Sequence, residues 1–161
     1  MLEIFRGAAL ILAVITTGLM AGVFQLYSHT VMPGLAKTDD RTFVGAFVAL
    51  DRAILNPLFM SAFLGGFGFT ALAAVLSLSA GSLLPWILAA LVLYLIVMII
   101  TFRMNVPRNN AIKADTDPDL GAVRARFDEA LWTRWNHGRS VLCTIAFACL
   151  AWALVVYGTL S

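Results

Sequence analysis

Residues 57–102 read PLFMSAFLGGFGFTALAAVLSLSAGSLLPWILAALVLYLIVMIITF and contain no Asp, Glu, Lys or Arg. A bilayer-spanning helix needs about 20 predominantly apolar residues. This stretch supplies two such runs on either side of Ser79-Ala80-Gly81-Ser82, a break short enough to make the pair a helical hairpin. Working outward, Gly7 to Tyr27 and Ser140 to Tyr157 are apolar runs of similar length. The expectation is an all-α, four-transmembrane-helix bundle, with spans at about 7–27, 57–78, 83–102 and 140–157 and residues 1–161 forming a single integral membrane domain.

Composition agrees. The 161 residues are 61% hydrophobic and 12% charged, and the mean hydropathy is +0.90. A soluble domain has about 45–50% apolar and about 25% charged residues, so disorder, a coiled coil and most soluble enzymes are excluded. A formal charge of +2 is too small for a nucleic-acid surface; the lipid bilayer is the expected partner. Cys143 and Cys149 lie six apart in one apolar run and would face different sides of a helix, which rules out an intrachain disulfide if that helix forms. The first run follows Arg6, but it is too long for a signal-peptide core and three more runs follow, so it reads as a retained span.

The two longer connections are polar. Met32-Pro33-Gly34 is expected to break the first helix. Thr38, Asp39 or Asp40 can then cap a short helix whose apolar stripe is Phe43, Phe47, Leu50 and Ile54, an interfacial or bundle-capping element. Asn56-Pro57 is a cap followed by a first-turn proline. Thr116, Pro118 and Asp119 offer a cap, a first-turn proline and a capping-box acid, from which a helix is expected to run unbroken into the fourth span as its cytoplasmic extension.

With four spans the polar connections share one side, and they hold ten of the eleven basic residues; Arg6 is alone on the other side. The positive-inside rule then places those connections in the cytoplasm and both termini outside it, in the plasma (inner) membrane.

Ionisable residues in membrane helices are costly and are functional candidates by default. None lies at a span centre. The polar candidates gather at one membrane face, as His29 after the first span, Asn56 before the second, Arg103 and Asn105 at the end of the third with Asn109 just beyond, and Trp132 to Arg139 before the fourth. Trp132, Trp135, Asn136 and Arg139 follow i, i+3, i+4, i+7, so one helix face carries two indoles, an amide and a guanidinium; Asp128 and Cys143 extend it. Plainer readings exist for each: the tryptophans as interfacial anchors, Arg139 as a snorkelling cation, Asn109 as a turn residue, His29 as a solvated loop residue. Gly18 with Gly22 and Ser61 with Gly65 read as packing devices. His29 and His137 have no convincing third ligand for a metal ion and no CxxCH attaches a haem, so no cofactor is expected, a b-type haem held by the two histidines being the alternative.

Asn105-Val-Pro-Arg-Asn-Asn-Ala-Ile112 and Trp132-Thr-Arg-Trp-Asn-His-Gly-Arg139, together with Val31-Met-Pro-Gly-Leu35 and Asn56-Pro-Leu-Phe59, resemble the anthrone oxygenase-like family of small four-helix membrane proteins. The resemblance implies cofactor-free oxidation of an anthrone or a hydroquinone-like aromatic by dioxygen. That chemistry wants a base, a cationic donor for the enolate oxygen and an aromatic-lined slot. On this reading His29 is the catalytic base, with Asp128 its weaker alternative. Arg139 and Asn136 serve the reacting oxygen, and Asn105, Asn109, Trp132 and Trp135 bind the substrate. The rival is a non-enzymatic accessory subunit, or a lipophile- or quinone-binding protein, in which Arg139 pairs with Asp128 or a carbonyl and Asn105 caps a helix. A cavity at that end discriminates against a filled, internally paired bundle.

Overall fold

The computed structural model describes residues 1–160. Among them the elements are α1 (Leu2–Leu26), a π turn (Tyr27–Val31), α2 (Met32–Leu35), α3 (Asp40–Ile54), α4 (Pro57–Leu76), α5 (Leu84–Ile100), a second π turn (Thr101–Asn105), α6 (Val106–Ala114), α7 (Leu120–Phe127) and α8 (Glu129–Leu160). Four helical segments, Leu2–Leu35, Pro57–Leu76, Leu84–Ala114 and Leu120–Thr159, are long and apolar enough to cross a membrane. The all-helical four-span bundle expected from the sequence is therefore what forms.

The first and third segments run further than the sequence suggested. Met32-Pro33-Gly34 does not break the first helix, which continues to Leu35. Proline inside a helix lacks an N–H and collides with the carbonyl four residues back. Here the preceding turn widens: the N–H of Met32 reaches back five residues to Tyr27 O, and that of Val106 to Thr101 O. Pro33 and Pro107 each follow such a π turn by two residues, so the same local conflict is resolved in the same way twice. Arg108 adds a bond from Nη1 to Met104 O at 2.7 Å. A π turn also rotates the side chains beyond it, and both turns sit at the same end of the bundle.

The fourth segment has a break the sequence did not suggest. Asp128 takes a left-handed backbone (φ 54°) between α7 and α8, a conformation short polar side chains tolerate. Its Oδ1 then accepts from the N–H of Leu131 at 3.1 Å, capping α8. The N-cap of α7 is Asp119 itself, whose Oδ1 accepts from Gly121 and Ala122, and Thr116 takes no part in that cap. Gly138 lies within uninterrupted helix. The other caps follow the sequence: Asp39 Oδ1 accepts from Thr42 N at 2.9 Å and Asn56 Oδ1 from Phe59 N at 3.0 Å.

In the bundle α1 packs on α4 and α8, and α5 packs on α8; α4 and α5, though joined by the hairpin, touch less. They pack tightly at Gly66, where a Cβ would stand 2.5 Å from the ring of Tyr94. Tyr94 is 1% exposed and donates from its hydroxyl to Phe63 O at 2.9 Å. Gly18 likewise packs against Phe147, but Gly22 meets nothing, so only the first glycine of that pair serves the internal packing.

The polar connections form a cap at one end, with a core of Met32, Phe43, Phe47, Ile112, Val123, Phe127 and Trp132. Arg124 ties it together, donating to Thr38 O and Ala36 O and pairing with Asp40 and Glu129. The capping helix α3 thus buries its stripe against α6 and α7, with one change: Leu50 is exposed and Asp51, on the other flank of Phe47, is buried. At the opposite end Arg6 pairs with Glu3 and donates from Nε to Leu76 O at 2.9 Å, and Tyr157 donates to Glu3 O.

Candidate functional site

Asn136 on α8 organises the cavity end of the bundle. Fully buried, it donates from Nδ2 to Phe24 O at 3.0 Å and to Ser28 Oγ at 2.7 Å. Those two donor bonds fix which end of the amide is oxygen. Oδ1 therefore accepts from Arg139 Nη2 at 2.7 Å. Ser28 reaches it from the first π turn, and the second π turn supplies Thr101, whose hydroxyl accepts from Arg139 Nη1 at 3.2 Å.

Arg139 is 6% exposed. Its guanidinium carbon lies 4.6 Å from the Phe24 ring centroid and 5.7 Å from that of Trp132. Among the described residues no carboxylate lies within ion-pair distance of it, and its Nε is buried without a partner. Removing a cation from water costs several kcal/mol that a paired anion ordinarily offsets. Here neutral amide, hydroxyl and ring faces replace the anion, leaving a positive site without a counter-charge.

Beside it, Asn105 is 1% exposed, donates to Trp132 O at 3.3 Å and leaves Oδ1 unpartnered. Asn105 makes no capping bond to α6. Asn109 accepts from Trp132 Nε1 at 2.7 Å and donates to Asp51 Oδ1 at 2.6 Å, and Asp51 Oδ2 meets Lys113 Nζ at 2.6 Å. Trp132 also packs edge-to-face with Phe47, so the indole is held by that ring and by its N–H at once.

These groups line a cavity of about 160 Å³. Its polar wall includes Arg139, Asn136, Asn105, Asn109, Asp51, Lys113, Thr101 and the phenol of Tyr27; its apolar wall includes Phe24, Phe59, Phe63 and Trp132. It reaches the surface beside Leu55 and Phe102, 60% and 54% exposed, at the adjoining ends of α4 and α5.

Five of the seven residues singled out from the sequence thus meet in one cavity: Arg139, Asn136, Asn105, Asn109 and Trp132. Trp135 is not on its wall, and its indole N–H is buried without a partner. His29 is exposed and outside the cavity, its ring edge-to-face with that of His137 at 5.7 Å. Asp128, the weaker alternative, is exposed and occupied in capping. Among the described residues no three His, Cys, Asp or Glu side chains gather to hold a metal ion.

Sequence reasoning missed Asp51, Lys113 and Thr101. Asp51 was screened by Leu50, which completed an apolar stripe on the other side of Phe47. Thr101 depends on the π turn, for which Pro107 was the available signal.

No curated protein and no solved structure matches the chain. The sequence model of the anthrone oxygenase family does match, over residues 53–149. That range covers α4 to most of α8 and takes in every cavity residue named above on α6 and α8. With more than half of its length matched, this helical, apolar chain belongs to the anthrone oxygenase family.

Proposed function

We propose that the protein is a cofactor-independent oxygenase that binds an anthrone- or hydroquinone-like aromatic in this cavity and oxidises it with dioxygen. The observation that carries the reading is the buried Arg139 guanidinium, which lines an aromatic-walled cavity and, among the described residues, has no carboxylate within ion-pair distance. A ligand that becomes an enolate or phenolate supplies the missing negative charge. Preorganised donors aimed at a developing oxyanion in a dry site stabilise it without reorganisation, and Asn136 with Thr101 preorganises this one.

Asn105 adds a complementary demand. Arg139 Nε is a donor without an acceptor, and Asn105 Oδ1 is an acceptor without a donor. An aromatic bearing an ionisable or carbonyl oxygen and a hydroxyl satisfies both. In the oxidation, a ring methylene and dioxygen give a ring carbonyl and water. The polar cap carries ten of the eleven basic residues, which supports a plasma-membrane orientation with the cap in the cytoplasm and both termini outside it.

The test is to purify the protein from membranes, supply anthrone in air, and measure dioxygen consumption with anthraquinone formation. Turnover in the unaltered protein and its loss in Arg139→Leu are expected. Binding of alizarin, a dihydroxyanthraquinone, without any oxidation of anthrone or a hydroquinone would leave a lipophile-binding protein and overturn the enzyme reading.

A further inference from the structure

In this oxidation a ring methylene first loses a proton, and the accepting group must lie within hydrogen-bond reach of it, directly or through one water. His29 lies outside the cavity. Among the described residues on its wall, Asp51 is the sole carboxylate. We infer that Asp51 is the catalytic base of this site, an assignment that rests on the oxidation proposed above.

Asp51 is 8% exposed and held from two sides, by Asn109 on Oδ1 and by Lys113 on Oδ2. An ionised carboxylate offers about four acceptor positions, so two partners fix its direction without exhausting its lone pairs. Its spacing from Arg139 is set by Trp132. The indole N–H edge binds Asn109, which binds Asp51, while the guanidinium lies over the indole ring. The proton acceptor and the oxyanion holder are thus separated by one indole and one amide. An anthrone makes the matching demand, with its acidic methylene and its carbonyl on opposite sides of the central ring.

The step balances with dioxygen as the oxidant. A carboxylate oxygen of Asp51 takes a methylene proton, and the C–H pair moves into the ring as the carbonyl pair settles on oxygen, facing Arg139. The enolate passes one electron to dioxygen, and the resulting radical and superoxide join at the same carbon as a peroxide anion. Asp51 returns its proton to the outer peroxide oxygen. The O–O bond then breaks with loss of the remaining C–H hydrogen, giving the carbonyl and one water.

Proton abstraction can be read apart from oxidation. The purified protein is incubated with anthrone in deuterated water without dioxygen, and methylene deuteration is followed by NMR. The unaltered protein should accelerate exchange, and Asp51→Asn should lower that acceleration by about 10²- to 10⁴-fold, the usual contribution of a general base. Asp51→Asn combined with Lys113→Met removes the charge stranded by the single change and should be equally inactive, with alizarin still bound by both variants. In Asp51→Gly, added formate should restore exchange, which a purely structural role would not permit. Undiminished exchange in the Asn variants, or no acceleration by the unaltered protein, overturns the assignment. Anaerobic exchange without aerobic oxidation would sink the oxygenase reading and leave Asp51 as the base.

Discussion

Asn136 Oδ1 accepts from Arg139 Nη2 at 2.7 Å, one helical turn apart on α8 and both buried. The amide takes the place a carboxylate would occupy beside a buried guanidinium, and so orients the cation without neutralising it.

Asn136→Asp should therefore weaken function, and it should also lower stability because a carboxylate cannot donate to Phe24 O. The new carboxylate would neutralise Arg139 from within, so affinity for ionised alizarin should fall sharply. The check is a spectroscopic titration of alizarin alongside thermal unfolding in detergent. Undiminished binding of the anion would count against Arg139 as its receptor.

Arg139→Leu should lower the rate of anthrone oxidation by about 10²- to 10³-fold or more, the scale seen when one oxyanion donor is removed. Arg139→Lys should not restore it, because a single ammonium cannot reach Asn136, Thr101 and the substrate oxygen together. Steady-state rates for the two variants decide this.

Gly66→Ala should destabilise the bundle by about 1–3 kcal/mol, the usual cost of overpacking a closed core. The added methyl would meet the Tyr94 ring and disturb its bond to Phe63 O. Denaturation in mixed micelles should show the loss, and Gly22→Ala, with open space around it, should show none.

The cap should loosen in acid. Asp39 is held below the usual carboxylate range by the backbone and hydroxyl of Thr42, and Asp115 by Arg126 and the backbone of Asp117. Each folded pKa lies below its unfolded value, so the stabilisation is complete above the unfolded value and is lost as pH falls through the folded one. Hydrogen exchange at the first turn of α3 and in the 115–119 turn should rise below about pH 4, near the ordinary Asp value. The hairpin at residues 77–83, which carries no ionisable side chain, should not respond.

Single cysteines placed at the exposed Lys37 and Arg134 should react with an impermeant maleimide only after the cytoplasmic face is exposed, and one at Glu3 from the opposite face. The reverse pattern would invert the proposed orientation.

Hydrophobic length alone determined the bundle. In a bilayer each helix satisfies its own backbone, so the four runs and the Ser79–Ser82 hairpin could be read without knowing any neighbour. The i, i+3, i+4, i+7 face of α8 was legible for the same reason, since helical phase is a local property; Trp132, Asn136 and Arg139 did arrive on one cavity wall. What lay outside the sequence depended on local backbone geometry or on distant partners. The π turns carry the helices past Pro33 and Pro107, and the left-handed Asp128 separates α7 from α8. Burial of Asp51 needs Asn109 and Lys113 from α6, over fifty residues away. His29 and Asp51 illustrate the division: each is an acid–base side chain near the same membrane face, and only the packing of α3 against α6 decides which one faces the cavity.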